Sequence, residues 1–281
     1  LRGGVFFFFI RFPTARDLRY YAATMIPADI AEFFAAHQNL LWVLTVMIDL
    51  GMTLALFRAY GKQGLYAIIV FDIMLANLQG PKLTVVFGLE TSLGMIIYSG
   101  IYFATDLLSE RYGRHEANRA VLLGFFASVL MVVMISISLL FLPSTGENRR
   151  FAQEMHEAIG AIFNYGPRFV FGSLIAYLIS QSIDVQLFHF FKAKTKGRLL
   201  WVRNNGSTMI SQLVDTVVYA VVVWWGVVDL ATAFKLAAAK YLFKVVIALL
   251  DTPFLYWAAT WNLPDAPQYR DGLLDPEWER A

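Results

Sequence analysis

The chain has 281 residues, of which 58% are hydrophobic and 16% are charged, with a formal net charge of +2. A soluble domain carries about 25% charged residues, so this composition excludes an ordinary soluble protein and indicates a polytopic membrane protein. Cysteine is absent, which excludes disulfides, thiol nucleophiles and cysteine-ligated metal or iron–sulfur centres.

Residues 1–38 are predicted to form an N-terminal segment that is interfacial or poorly ordered. The apolar run Val5–Ile10 is far shorter than the roughly 20 residues that a spanning helix needs. The following residues mix charge, proline and alanine, and no hydrophobic stretch leads to a cleavage site of the signal-peptide type. No function is assigned to this segment.

Apolar segments then follow one another through residues 39–262, which we predict to be the transmembrane domain. Lipid cannot satisfy an open sheet edge, so the segments predict an all-α fold, a polytopic membrane bundle of about six to seven transmembrane helices. Residues 263–281 are predicted to be a cytoplasmic C-terminal tail. The segments are Leu40–Phe57, Leu65–Leu78, Leu93–Leu108, Val121–Phe141, Phe169–Phe191, Thr208–Trp225 and Leu230–Leu250, the last continuing past Pro253.

Lysine and arginine in the short loops predict the orientation, because basic loops are retained in the cytoplasm. Basic residues follow the first, third and fifth segments, at 58–62, 111–119 and 192–203. We therefore expect the C-terminus to be cytoplasmic. The loop 143–168 is placed outside as a partly helical cap, although it also contains arginine.

Two apolar segments each carry a carboxylate beside an amide and a hydroxyl. Asp184 follows Gln181 in the fifth segment, and Asp215 follows Ser211 and Gln212 in the sixth. A carboxylate at the bilayer centre costs about 3 kcal/mol or more, so it persists mainly where it is paired or lines a cavity. The alternatives are a binding site and a structural role, either as an ion pair or as polar contacts between helices.

Depth along the helices predicts which of these groups meet. Asp215 and Lys240 both lie about 15–17 Å from the outer ends of their helices, which predicts an ion pair between them. Gln181, Ser211 and Lys244 lie deeper and are expected to form a second cluster.

Two further polar residues are candidates outside these helices. Asn77 precedes the sequence Gly80-Pro81, which predicts either an interrupted helix or re-entrant turn that faces a cavity or an ordinary external loop. Asp106 lies near the inner end of the third segment, where it either contributes to a site or pairs with a nearby arginine.

Four stretches resemble the queuosine precursor transporters, the vitamin uptake transporter (VUT) family, over roughly residues 64–260. They are Phe103–Gly113, Ser180–Phe188, Gly206–Thr216 and Lys240–Ala248. The resemblance implies import of 7-cyano- and 7-aminomethyl-7-deazaguanine through the bacterial inner membrane, for queuosine modification of tRNA. The candidate substrate-binding residues are Asn77, Asp106, Gln181, Asp184, Ser211, Gln212, Asp215 and Lys244.

These residue types suit such a ligand. A guanine-like edge offers N1–H and an amino group to the carboxylate of Asp184 or Asp215, and its carbonyl oxygen accepts from an amide or ammonium. The same residues would also suit a pterin. Residue chemistry alone therefore indicates only a planar polar heterocycle.

No phosphate-binding loop is present in the sequence, which favours a secondary transporter. The alternative is a vitamin-like substrate-binding membrane subunit that requires a separate energising module. We expect no enzyme activity, no cofactor and no metal site. The expected partners are a small-molecule 7-deazapurine and the lipid bilayer, with no direct nucleic-acid contact, and homo-oligomerisation is left open.

Overall fold

The protein is described by a computed structural model over residues 26–163, 167–224, 226 and 229–266. In these residues, four helices are long and apolar enough to cross a membrane. They are Gln38–Gln79, Gly94–Ser138, Phe171–Lys194 and Leu200–Val223. The elements are α1 (Ala28–Ala36), α2 (Gln38–Gln79), β1 (Leu83–Val86), β2 (Leu89–Ser92), α3 (Gly94–Ser138), α4 (Arg149–Phe163), α5 (Pro167–Lys194), α6 (Leu200–Tyr219), a π-helical segment (Ala220–Trp224) and α7 (Leu230–Ala259). The predicted helical membrane bundle is confirmed.

Two glycines divide the longest helices into halves. Gly61 in α2 has φ 57° and Gly113 in α3 has φ 85°, values that a residue with a side chain rarely adopts. Asp49 and Asp72 lie on opposite sides of Gly61 and are close enough to interact, so α2 folds back on itself as a hairpin. The first four predicted segments therefore correspond to the two halves of α2 and of α3.

The first half of α3 lies at the centre of the bundle. Its side chains are buried from Gly94 to Arg111, with Tyr98 as the partly accessible exception. Helix α3 packs against α5 and α7, and α6 packs against the same two helices, so the four form a closed ring. Polar residues of α3 are consequently surrounded by protein on every side.

Helix α6 begins earlier than the sequence predicted. It starts at Leu200 rather than Thr208, and Arg203, Asn204 and Asn205 lie buried in its first turns instead of in a loop. Hydropathy does not predict this start, because a charged residue such as Arg203 usually indicates solvent exposure. The Arg203 charge is instead compensated inside the protein by Glu110 of α3.

The connection between α2 and α3 contains a small antiparallel sheet. Strands β1 and β2 pair with Leu83 opposite Ser92 and Val86 opposite Leu89. Phe87 and Gly88 form the turn with φ 49° and 76°, as in a tight two-residue hairpin. A turn at Gly80 and Pro81 lines a cavity, as one of the two alternatives predicted, whereas the hairpin that follows was not predicted.

Two helix predictions agree with the structure. Residues 149–163 of the loop 143–168 form the helix of the predicted cap, although the external location stays a prediction. Helix α7 continues through Pro253, as expected, and begins at an N-cap formed by Asp229. The carboxylate of Asp229 accepts hydrogen bonds from the hydroxyl and the backbone N–H of Thr232, which lower its pKa.

The first residues of the predicted tail are packed against the bundle. Asp265 accepts hydrogen bonds from the Tyr112 hydroxyl at 2.9 Å and the Lys62 backbone N–H at 3.0 Å. Residues 26–36 include α1, and most of the predicted N-terminal segment and tail lies outside the described residues. The predicted domain boundaries stay predictions.

Candidate substrate site

A cavity of about 430 Å³ opens at the end of the bundle that carries the β1–β2 sheet, here called the cavity end. Small-molecule sites commonly measure about 300–1,000 Å³, so the volume suits a compact ligand. Side chains from α2, β2, α3, α5, α6 and α7 contribute to its wall. Its polar lining includes Asn77, Glu90, Tyr98, Ser128, Tyr177, Asp215, Tyr219 and Lys240.

Asp215 is a buried carboxylate that lines this cavity, and it is 2% exposed. Its Oδ1 accepts hydrogen bonds from the Tyr98 hydroxyl at 2.9 Å and the Ser180 hydroxyl at 3.4 Å. Its Oδ2 accepts from the ammonium of Lys244, which is fully buried. Each charge of this ion pair therefore has its partner inside the protein, as burial in lipid requires.

The predicted ion pair between Asp215 and Lys240 was wrong in its cation, because Lys244 is the residue that binds Asp215. Side chains tilt toward the N-terminus of their own helix, and α6 and α7 run in opposite directions. Asp215 is thereby displaced away from the cavity end and Lys244 toward it, so they meet. Lys240 instead lines the cavity with its Nζ 3.7 Å from the centroid of the Tyr219 ring.

One turn further from the cavity, the predicted cluster of Gln181, Ser211 and Lys244 was also wrong. Ser211 donates to Asp184 Oδ1 at 2.7 Å, and Gln181 Oε1 accepts from the Thr105 hydroxyl at 3.1 Å. Depth along a helix did not reveal which direction each side chain takes around the helix axis.

Asp184 and Asp106 meet in this deeper layer. Their carboxyl groups lie within hydrogen-bonding reach of each other, between α5 and α3. Asp106 Oδ2 also accepts from the Thr208 hydroxyl at 3.1 Å. Asp106 Oδ1 and Asp184 Oδ2 have no hydrogen-bond donor among the described residues.

At the opposite end of the bundle, here called the closed end, buried charged groups of different helices are bonded to one another. Glu110 accepts from Arg203 Nε at 2.9 Å and from Nη2 at 2.6 Å, and Lys192 Nζ lies 3.8 Å from the same carboxylate. The Arg111 guanidinium donates to the carbonyl oxygen of Ala259. These bonds connect α3, α5, α6 and α7 where the cavity does not reach.

The eight candidate residues therefore fall into two groups. Asn77 and Asp215 line the cavity, and the Asn77 amide donates to Ser128 at 3.4 Å. Six others are buried outside its lining: Asp106, Gln181, Asp184, Ser211, Gln212 and Lys244. Substrate contact by these six stays a prediction.

Sequence reasoning missed several residues of the site. Tyr177, Ser180 and Lys240 were not selected as substrate-binding residues, although Tyr177 and Lys240 line the cavity and Ser180 donates to Asp215. Tyr98 was not selected either, and it both lines the cavity and donates to Asp215. Ser128 and Glu90 carried no sequence signal that distinguished them from other polar residues.

The cavity can bind a flat polar molecule. Tyr98 and Tyr177 pack edge to face with ring centroids 6.1 Å apart, and Tyr219 adds a third ring to the lining. The carboxylate of Asp215 supplies acceptors and the ammonium of Lys240 supplies donors. Within the described ranges, no group of three His, Asp or Glu residues could hold a metal ion.

Comparisons with known proteins identify the family and several relatives of the chain. Residues 92–258 match the family described as "Putative vitamin uptake transporter". A Bacillus subtilis protein named "Probable queuosine precursor transporter" is 35% identical over 221 residues, which is 78% of this chain and 94% of the relative. No solved structure matches the chain at comparable significance.

More distant relatives carry the same description. The "Queuosine precursor transporter" of Escherichia coli is 27% identical over 169 residues, which is 59% of this chain and 71% of the length of that relative. A "Probable queuosine precursor transporter" of Haemophilus influenzae is 24% identical over 58% of this chain and 66% of its own. With its family match, its membrane helices and the 35% identical relative, the chain belongs to the vitamin uptake transporter family.

Proposed function

We propose that this protein imports the queuosine precursors 7-cyano-7-deazaguanine and 7-aminomethyl-7-deazaguanine through the bacterial inner membrane. The observation that carries the proposal is the cavity in which Asp215 lies beside tyrosine rings. The names of the relatives support the substrate class. The precursors would serve the queuosine modification of tRNA, with no direct contact between this protein and nucleic acid.

The cavity offers a partner for each part of a deazaguanine ring. A carboxylate has about four acceptor positions, and three at Asp215 are taken by Tyr98, Ser180 and Lys244. One acceptor position of Asp215 remains, and a second becomes available if the ligand displaces the Tyr98 hydroxyl. These two positions can accept hydrogen bonds from N1–H and from the exocyclic amine. Lys240 can donate to the ring carbonyl, and the tyrosine rings can stack on the heterocycle.

The buried candidates give this site further capacity. Gln212 is 1% exposed, and neither its amide nitrogen nor its amide oxygen has a hydrogen-bond partner among the described residues. The same holds for the amide nitrogen of Gln181. Unpaired buried amides are costly, so their use by a substrate in a second conformation would recover hydrogen bonds.

The cavity end is proposed to face outward and the C-terminus to be cytoplasmic. The turn at Gly113 and the connection between α5 and α6, both at the closed end, coincide with the predicted basic cytoplasmic loops. The chain has no cysteine, so Lys194→Cys and Asn148→Cys can be labelled singly with an impermeant reagent. Labelling at position 148 alone in intact cells is expected, and labelling at position 194 would reverse the orientation.

Import is tested in a bacterial host that cannot make the precursors and lacks its own transporter. Expression of this chain should restore queuosine in tRNA when either precursor is supplied at low concentration. Asp215→Asn should lose most of that uptake while it still reaches the membrane. Glu154→Gln, which alters an exposed carboxylate on α4, is the matched control and should transport normally.

Purified protein in liposomes separates import from the alternative of a subunit that needs an energising module. Movement of labelled precursor into vesicles that contain this chain alone supports a self-sufficient transporter. Binding without movement would support the alternative. Absence of both would contradict the proposed function.

A further inference from the structure

The contact between Asp106 and Asp184 brings two carboxyl groups together in the interior of the bundle. The two residues are 1% and 0% exposed. Each has one oxygen that accepts from a hydroxyl of α6 and one oxygen without a donor among the described residues. The unpartnered oxygens are Asp106 Oδ1 and Asp184 Oδ2, and the two carboxyl groups are within hydrogen-bonding reach of each other.

Within the described residues, no cation forms an ion pair with this carboxyl pair. Lys244 of α7 is bound to Asp215, and Arg203 of α6 is bound to Glu110 of α3. Asp251 of α7 adds a further carboxyl group nearby and accepts from Asn204 at 3.1 Å. Other titratable or charged side chains on these helices toward the closed end include Arg111 and Arg114 of α3, and His189 and Lys192 of α5.

Two carboxylates in contact cannot both stay ionised where neither water nor a cation compensates them. If one carboxyl is protonated, its O–H donates to the other, and the two oxygens without donors are then satisfied. A proton is therefore the ligand that completes the hydrogen bonding of this contact.

We propose that Asp106 and Asp184 share one proton and form the site at which proton entry is coupled to transport. The inference rests on the proposed function, because it names the energy source of that same transporter. The proton is bound from water on the outer side and released to water on the inner side, and no bond other than O–H forms or breaks.

The position of the pair explains how coupling would occur. Asp184 lies one turn from Ser180 on α5, and Ser211 lies one turn from Asp215 on α6, so the same helices carry the pair and the cavity wall. Tyr102 donates to Ser180 at 2.8 Å and is close enough to interact with both Asp215 and Asp184. A conformation that is closed to water on both sides keeps the carboxyl pair buried and therefore requires the shared proton. A conformation that is open to water on the inner side allows the proton to be released.

The shared proton can be tested without any substrate. A protonated carboxyl group has an infrared carbonyl band that a carboxylate lacks. The full chain at neutral pH should show this band, and Asp106→Asn should lose one carboxyl equivalent relative to the unmodified chain. Glu154→Gln is the control, because it removes an exposed carboxylate on α4 that stays ionised at neutral pH and should leave the band unchanged. An unchanged band in Asp106→Asn would overturn the proposal.

Coupling is tested with the full chain in liposomes that contain a pH-sensitive dye, with the membrane potential clamped at zero. A tenfold inward proton gradient should drive up to about tenfold accumulation of labelled 7-aminomethyl-7-deazaguanine if one proton enters per substrate. Addition of substrate should also acidify the lumen. Asp106→Asn should abolish this acidification, and the exposed-surface variant Glu154→Gln should retain it.

The outcomes separate the two proposals. If the unmodified chain moves substrate only to equal concentrations and without acidification, proton coupling is overturned and the proposed function stands. Coupling to sodium instead of protons, or undiminished acidification in Asp106→Asn, would also overturn it. If the unmodified chain neither binds nor moves the precursor, the proposed function itself fails.

Discussion

The two ends of this bundle use the same helices for opposite purposes. At the cavity end, Asp215 and Lys240 line an open space and keep part of their hydrogen-bonding capacity. At the closed end, Glu110, Arg203 and Lys192 are buried and bonded to one another. The comparison indicates that charges paired with one another connect the helices at the closed end, whereas polar side chains that line the cavity at the other end can bind a ligand.

Breaking the closed end should have the largest effect. Glu110→Gln removes the carboxylate that Arg203 and Lys192 share, which should lower the free energy of unfolding by about 3–5 kcal/mol. Arg203→Gln should cost less, because Lys192 stays beside Glu110. The double variant should recover much of that loss. Denaturant unfolding in detergent measures all three.

The exposed pair of Arg150 and Glu154 on α4 provides the control for this prediction. Its side chains are 91% and 55% exposed, so Glu154→Gln should change the free energy of unfolding by at most about 1 kcal/mol. Equal losses for the buried and the exposed pair would show that the closed end contributes no special stability.

Two lysines of α7 sharpen the comparison. Lys244→Met leaves the buried Asp215 without a cation and should cost about 3 kcal/mol of stability. Lys240→Met removes a cation–π contact with Tyr219 and should cost about 1 kcal/mol, while it weakens substrate binding. Thermal unfolding and precursor binding distinguish the two variants. An equal loss of stability would contradict the assignment of Lys244 to the buried ion pair and of Lys240 to the cavity lining.

The turn between the halves of α3 should give a smaller effect than breaking the closed end. Gly113→Ala places a side chain at φ 85° and ψ 175°, where an added Cβ meets no neighbour, so only backbone strain of about 1–3 kcal/mol is expected. Gly51→Ala lies in a helix interior with equal space and should be neutral or slightly stabilising. A similar result for both would show that Gly113 is not required for the turn.

The membrane helices could be predicted because hydropathy is a local property of the sequence. The start of α6 could not be predicted, because the charge of Arg203 is typical of a loop. That charge is compensated by Glu110, which is far away in the sequence. The β1–β2 sheet was missed because the Phe87–Gly88 turn lies in a short stretch between strong helix signals.

The site was predictable in its residue types but only partly in its contacts. Asp184 and Asp215 were selected correctly as buried carboxylates, because isolated charges in apolar segments have few structural explanations. Their partners depend on the direction of each side chain around its helix axis, which depth does not give. For that reason the prediction named Lys240 as the partner of Asp215 where the structure has Lys244, and it did not bring Asp106 and Asp184 together.

The central claim is that Asp215 recognises the donor edge of a deazaguanine. Its most direct test is calorimetric binding of 7-aminomethyl-7-deazaguanine and of an analogue that lacks the exocyclic amine. The unmodified protein should prefer the complete ligand by at least about a hundredfold, because the analogue leaves a buried acceptor unpaired. Asp215→Asn should lose that preference, and Asp229→Asn, which retains an effective helix N-cap, should keep it. Equal affinity of the unmodified protein for both ligands, or full discrimination by Asp215→Asn, would contradict the account.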